Sequence, residues 1–172
     1  MAALTQVGSF AAVKSDSGDL LIADFNTRGK INTRRCTGSF DSAIRRGDSG
    51  YSLKIKYDVY SRSPVYSSVR IALPDIDASD YDNLSFWLKG NGKTGYSTVF
   101  KIELESSGGQ AGYHYVTSVI DHWQEIVIPL SKFKGLTDIS SLTALSVVFE
   151  DKIASNKRGV IYIDDLRFTM NK

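Results

Sequence analysis

The sequence predicts an all-β fold, a two-sheet antiparallel β-sandwich, on three observations. Apolar and polar residues alternate with period two through most of the chain. Clusters rich in Gly, Ser and Asn separate the alternating runs. No segment keeps a helical period over the roughly ten residues that a helix needs. Short alternating strands joined by Gly-rich turns are the pattern of a sandwich or barrel, in which one strand face packs on a shared core and the other meets solvent.

In chain order, residues 1–18 carry the weakest pattern and read as an N-terminal arm or an edge strand, and the domain proper covers 19–172. "LLIADF" opens the first core strand. In "SLKIKYDVY", Leu53, Ile55, Tyr57 and Val59 share one face, with Lys54, Lys56, Asp58 and Tyr60 on the other. "SVRIAL" sets Val69, Ile71 and Leu73 against Ser68, Arg70 and Ala72. "LSFWLKG" sets Leu84, Phe86 and Leu88 against Trp87 and Lys89. "VFKIELE" buries Phe100, Ile102 and Leu104 and exposes Lys101, Glu103 and Glu105. "WQEIVIPL", "LSVVFED" and "GVIYIDDLRF" complete the set, each run about 5–8 residues long. The breaks are "KGNGKTG", "ESSGGQAG" and "DKIASNKRG". The best short helical turns are the connectors "DASDYD" and "KFKGLTDISSL". No repeat or linker divides the chain.

Composition narrows the function. The chain has 172 residues, 42% hydrophobic and 23% charged, enough to bury one core. Its net charge of +2, from 21 basic and 19 acidic residues, gives no field for nucleic acid or membrane. The local basic cluster of Lys30, Arg34, Arg35, Arg45 and Arg46 fits a solvated loop as well as a ligand. A lone Cys36 excludes an internal disulfide and a cysteine-built zinc site. No run approaches the roughly 18 apolar residues that span a bilayer. The opening "MAALTQVGSF" lacks the basic and apolar regions of a secretory leader, so either the protein stays inside or the chain begins after a removed leader.

Catalysis finds little footing. Glu103 and Glu105 stand at i and i+2 on one strand face, and a glycosidase needs two carboxylates. Lys101 and Arg70 are at hand to pair with them, however, and cross-strand charge pairing is the commoner use. His114 and His122 fall in no metal or triad spacing, and no nucleophile elbow or phosphate loop occurs. The expected class is non-catalytic.

Taken together, "LLIADF", "GYSLKIKYDV", "DASDYDNLSFWLKG", "HWQEIVIPLSKF" and "GVIYIDDLRF" resemble, in order and spacing, the galactose-binding-like jelly-roll carbohydrate-binding modules near family 11 and the related CIA30-like domains, over about Leu20 to Phe168. The resemblance implies a jelly roll that works beside glycan-degrading enzymes, hence a secreted or periplasmic place. One departure stands out. Where members near this branch often carry Gly-Gly after an asparagine, this chain reads "INTRRCTGSF", with Arg34 and Arg35 in that place.

The resemblance also implies a structural calcium ion, Ca2+, fastening the first core strand to the last. In "VIYIDDLRF", Ile161 and Ile163 face one way, Leu166 and Phe168 share a face, and the parity slips by one residue across Asp164–Asp165, which predicts a bulge. Calcium takes six to eight oxygens. The family pattern puts one ligand on Asp164 and its partner on Asp24, with Asp48 a weaker candidate. Without a metal, the same two aspartates accept hydrogen bonds from turn amides or pair with Arg158 or Arg167.

Sugars are held by aromatic faces and planar polar side chains. Parity or loop context puts Tyr60, Trp87, Tyr113 and Tyr115 outside the core. Arg70, Lys101, Glu103 and Glu150 face outward on strands that the resemblance assigns to the concave sheet. These eight make a candidate groove for a polysaccharide or oligosaccharide, its charges favouring a single or charged chain over a crystalline surface. The alternative is a CIA30-like protein-interaction or assembly domain using the same sandwich.

Overall fold

A computed structural model describes residues 10–27, 29–63 and 65–171. Their strands are β1 (Val13–Lys14), β2 (Leu20–Ala23), β3 (Ile31–Arg34), β4 (Cys36–Asp41), β5 (Ser52–Asp58), β6 (Tyr66–Ile76), β7 (Asn83–Gly90), β8 (Phe100–Ser106), β9 (Ala111–Val116), β10 (Gln124–Pro129), β11 (Leu142–Glu150) and β12 (Arg158–Thr169). They form two antiparallel sheets, the predicted sandwich. The five-stranded sheet runs β3-β6-β11-β8-β9. In the seven-stranded sheet β12 is central. β7, with β10 beyond it, lies along one side of β12. β5 and β2 share the other side end to end, flanked by β4 and β1.

The alternation read in the sequence supplies the core. Leu53, Ile55 and Tyr57 of β5, Leu84, Phe86 and Leu88 of β7, and Ile161, Ile163, Leu166 and Phe168 of β12 point inward from one sheet. Val69, Ile71 and Leu73 of β6, Phe100, Ile102 and Leu104 of β8, and Leu145, Val147 and Phe149 of β11 meet them from the other. Each such side chain contributes about 1.5–3 kcal/mol by leaving water. Tyr57 stacks on Phe149 at 3.7 Å between ring centroids and donates its hydroxyl to the Asn156 carbonyl at 3.1 Å. Burial pushes that phenol up to about 12. Gly159 is fixed by this contact, since a Cβ there would stand 2.7 Å from the Tyr57 hydroxyl and 2.6 Å from the Gly95 carbonyl.

The bulge in β12 is present. Its register against β7 shifts between Asp164 and Arg167, and Asp165 takes φ +50°. The irregularity sits where β5 stops, at Leu53 opposite Ile163, and β2 begins, at Ala23 opposite Leu166. The extra residue therefore lets one long strand serve two shorter neighbours while keeping Ile163 and Leu166 both inward.

Two local expectations change. "DASDYD" forms a turn in which Asp77 Oδ1 accepts the Ser79 amide at 2.9 Å, not a helical one. The 3-10 turn among the described residues covers Leu130–Lys132, ahead of most of "KFKGLTDISSL". There Lys134 instead bridges to Tyr113 through paired backbone bonds of 2.9 and 3.0 Å. Arg35, in the place where the resemblance leads one to expect glycine, adopts φ +52° between β3 and β4. A non-glycine residue there carries strain of about 1 kcal/mol or more.

Candidate functional site

The outer face of the five-stranded sheet gathers most of the predicted groove. Register puts Asn32, Arg70, Ser146, Glu103 and Tyr113 side by side across its strands. Arg34, Ser68, Val148, Lys101 and Tyr115 form the next row, and Glu150 faces Tyr66 beyond it. Ser68, Ala72, Ala144 and Ser146 keep the middle low, so the long side chains around them set the relief.

Every cation at the centre of this face has a carboxylate. Arg70 grips Glu105 with two bonds, Nη2 to Oε2 at 2.9 Å and Nε to Oε1 at 3.3 Å. Lys101 Nζ lies 2.8 Å from Glu103 Oε1 and 3.2 Å from Glu150 Oε1, and the Tyr115 hydroxyl donates to Glu150 Oε2 at 2.8 Å. Burial alone would lower the Lys101 ammonium. Its bonds to Glu103 and Glu150 outweigh that and hold it above its ordinary value. The bond to Glu150, then burial, raises the Tyr115 phenol. The two carboxylates that would serve a glycosidase are thus each committed to a cation.

The aromatic groups stand at the margins. Tyr113, 37% exposed, meets Tyr115 edge-on with centroids 5.8 Å apart, and Lys101 Nζ lies 5.7 Å from the Tyr113 ring. On the opposite edge Tyr66, 41% exposed, lies under the Arg34 guanidinium at 4.5 Å. A cleft of about 360 Å³ continues from the face between Tyr66, Tyr115, Glu150, Lys152 and Ile153.

Arg70, Lys101, Glu103, Tyr113, Tyr115 and Glu150 therefore come together, whereas Tyr60 and Trp87 do not join them. Trp87 faces outward from the seven-stranded sheet, opposite Asp164 and Glu125, with the Arg46 guanidinium 3.5 Å above its ring. Tyr60, 70% exposed, follows β5, with the Arg158 guanidinium 5.0 Å from its ring. Sequence reasoning missed Tyr66, Asn32 and Arg34 as neighbours of the groove. For Tyr66 the signal was available, because Tyr66, Ser68 and Arg70 share one parity.

At the bulge Asp164 is 2% exposed and makes no ion pair among the described residues. Its Oδ2 accepts the Arg46 amide at 3.0 Å and its Oδ1 the Asp165 amide at 2.9 Å. The arginines once available to it are engaged elsewhere, Arg158 with Asp58 and Arg167 with Glu125. Burial raises Asp164 to about 6. The two amides offset part of that, and the charges of Asp165 and Asp24 add to it. Asp24 accepts the backbone and side-chain amides of Asn26 at 3.0 and 3.1 Å. No cluster of three His, Cys, Asp or Glu side chains suited to a metal occurs among the described residues. A cation here would rest on two carboxylates plus carbonyls and water, a donor set that suits calcium. A carboxylate raised chiefly by burial, and further by two neighbouring charges, fits that need.

The family model for "Carbohydrate binding domain (family 11)" matches residues 15–161. The chain belongs to that family. A family 11 domain is a carbohydrate-binding module and non-catalytic, in keeping with the pairing of Glu103 and Glu105. Solved family 11 modules share the fold. One from Clostridium thermocellum, in complex with a β-1,3-1,4-mixed-linked tetrasaccharide, is 19% identical with TM-score 0.71, over 91% of this chain and 98% of that one. Another, from the cellulosomal cellulase Lic26A-Cel5E of the same organism, is 20% identical with TM-score 0.69, over 91% and 97%. An exo-β-agarase matches over 88% of this chain but 24% of its own, at 15% identity and TM-score 0.68. None of the curated proteins matches. These likenesses lend no support to an assembly domain.

Proposed function

We propose that this family 11 module holds one polysaccharide chain across the outer face of the five-stranded sheet, with Tyr113 and Tyr115 stacking on sugar rings and Arg70, Lys101, Glu103 and Glu150 bonding hydroxyls. The observation that carries this reading is the convergence of Tyr113, exposed, and Tyr115, half-buried, on a polar floor whose cations are each already paired with a carboxylate. Pre-paired charges offer fixed donors and acceptors without demanding a charged ligand, and hold their geometry before the sugar arrives. A neutral β-linked glucan is the first candidate, since one similar module is in complex with a β-1,3-1,4-mixed-linked tetrasaccharide. Work beside a glycan-degrading enzyme outside the cell follows from the same reading, given the cellulosomal origin of another.

In this proposal Asp24 and Asp164 hold a calcium ion at the β12 bulge, where it ties the first core strand to the last and neutralises buried charge. Its contribution is stability alone. Affinity electrophoresis against soluble glucans, mannans and uronates tests the groove. Retardation by a neutral glucan that disappears in both Tyr113→Ala and Tyr115→Ala supports it, and retardation that both variants keep refutes it.

A further inference from the structure

The outer face of the seven-stranded sheet carries a second, separate cavity. It measures about 420 Å³ and lies between the β7–β8 turn and the β9–β10 loop, lined chiefly by Ile44, Lys89, Asn91, Lys93, Asp121 and Tyr162. Its walls are tied down. The Gly90 amide donates to the Ile120 carbonyl at 2.7 Å and the Asn91 amide to the Val160 carbonyl at 3.0 Å. Asn91 Oδ1 then takes the amides of Lys93 and Thr94 at 3.0 and 3.2 Å, which sets the turn that presents Lys93. Asn91 Nδ2 donates to the Tyr162 hydroxyl at 3.0 Å. That bond uses the phenol as an acceptor, and Tyr162, 3% exposed, closes the floor of the cavity.

The cations here are unpaired, unlike those at the centre of the other sheet's outer face. Lys89 Nζ bonds only the Asp121 carbonyl, at 2.5 Å, and neither Lys89 nor Lys93 makes an ion pair among the described residues. The carboxylate of Asp121 lies beside His122 Nδ1 at 3.3 Å, and a Cβ on Gly92 would stand 3.1 Å from its Oδ2. Behind the cavity Lys54 is matched by Asp41 at 3.2 Å, its Nζ 5.8 Å from the Tyr162 ring. Two ammonium groups thus face one carboxylate over the Tyr162 floor.

The geometry points to a second carbohydrate site in this cavity, one that takes a sugar bearing an anionic substituent, a carboxylate or a sulfate. Lys89 and Lys93 supply donors for the acid oxygens above the Tyr162 floor, and the Asp121 carboxylate accepts a neighbouring sugar hydroxyl. A bare inorganic anion would meet Asp121 as repulsion, whereas a sugar acid uses both signs. The site lies on the opposite face from the tyrosine groove and does not depend on it.

Calorimetric titration of the purified protein with oligogalacturonate, a sulfated galactan oligosaccharide, a neutral β-glucan oligosaccharide and sodium sulfate tests the assignment. At least one acidic oligosaccharide should bind with salt-sensitive affinity. Lys93→Glu, on an exposed turn, should weaken it about tenfold or more. In that variant the melting temperature and the neutral-glucan affinity should stay unchanged, whereas Tyr113→Ala should leave acidic binding intact. Binding of the uronate alone assigns a carboxylate, and of the sulfated sugar alone a sulfate. No acidic binding, acidic binding that Lys93→Glu keeps or Tyr113→Ala abolishes, or equal competition by sodium sulfate overturns the site.

Discussion

The two outer faces of the sandwich use the same alternating code and end in opposite states. On the five-stranded sheet, Arg70, Lys101 and Tyr115 lean on Glu105, Glu103 and Glu150, so each of these cations is paired within the sheet, and Tyr113 and Tyr66 stay open. On the seven-stranded sheet, residues of the β4–β5 loop lie over the strands. The Ile44 carbonyl takes the Ser52 hydroxyl at 2.5 Å, the Arg46 amide reaches Asp164, and the Arg46 guanidinium covers Trp87. An outward aromatic is available to a ligand only where no loop claims it first. Strand parity decides which side a residue faces, and the connections decide whether that side is free.

Disturbing the covered face should give the largest effect. Without divalent ions the folded protein keeps the Asp164 proton to about pH 6, whereas the unfolded chain loses it near pH 3.8. The folded state then binds more protons in that window, so stability falls as pH rises through it, by about 3 kcal/mol at most. Thermal melts in chelator should accordingly be higher at pH 4.5 than at pH 7. Added Ca2+ should restore stability at pH 7, and Asp164→Asn should remove both responses. A melting temperature indifferent to Ca2+ at pH 7 would remove the metal from the account.

Disturbing the open face should cost less stability and more binding. Arg70→Ala leaves Glu105 without its two-bond partner, but the pair is about one-third exposed, so about 1 kcal/mol is expected in denaturant unfolding. The loss should show chiefly in glucan affinity measured by titration. Tyr115→Phe removes only the bond to Glu150, worth about 1 kcal/mol, and keeps the ring. It should weaken binding less than Tyr115→Ala does. Smallest of all, Trp87→Ala should leave glucan affinity unchanged while lowering stability through its lost contact with Arg46. A Trp87→Ala variant that fails to bind glucan would join the two faces into one site and undo the comparison.

Much of this was legible in the sequence, for physical reasons that also mark the limit. Lys54 to Tyr60 and Lys101 to Glu105 alternate because each strand buries one side, and that periodicity is local. The slip at Asp164–Asp165 showed because two inward pairs, Ile161 with Ile163 and Leu166 with Phe168, cannot share one unbroken pleat. Sheet membership is not local. Trp87 and Lys101 look alike in parity, yet β7 bonds to β12 and β8 to β11, so they face away from each other across the core. The helical turn was misplaced for a related reason. Asp77 satisfies the Ser79 amide with its own side chain, which competes with a helical start.

The position of β12 sets the order of assembly. It follows every other strand in sequence, yet β2, β5 and β7 all bond to it. During synthesis those three wait with bare edges until the last ribbon emerges, while the five-stranded sheet already has all its members. Nascent chains stalled before residue 158 would therefore expose sticky, unpaired backbone, making them targets for chaperones and seeds for aggregation.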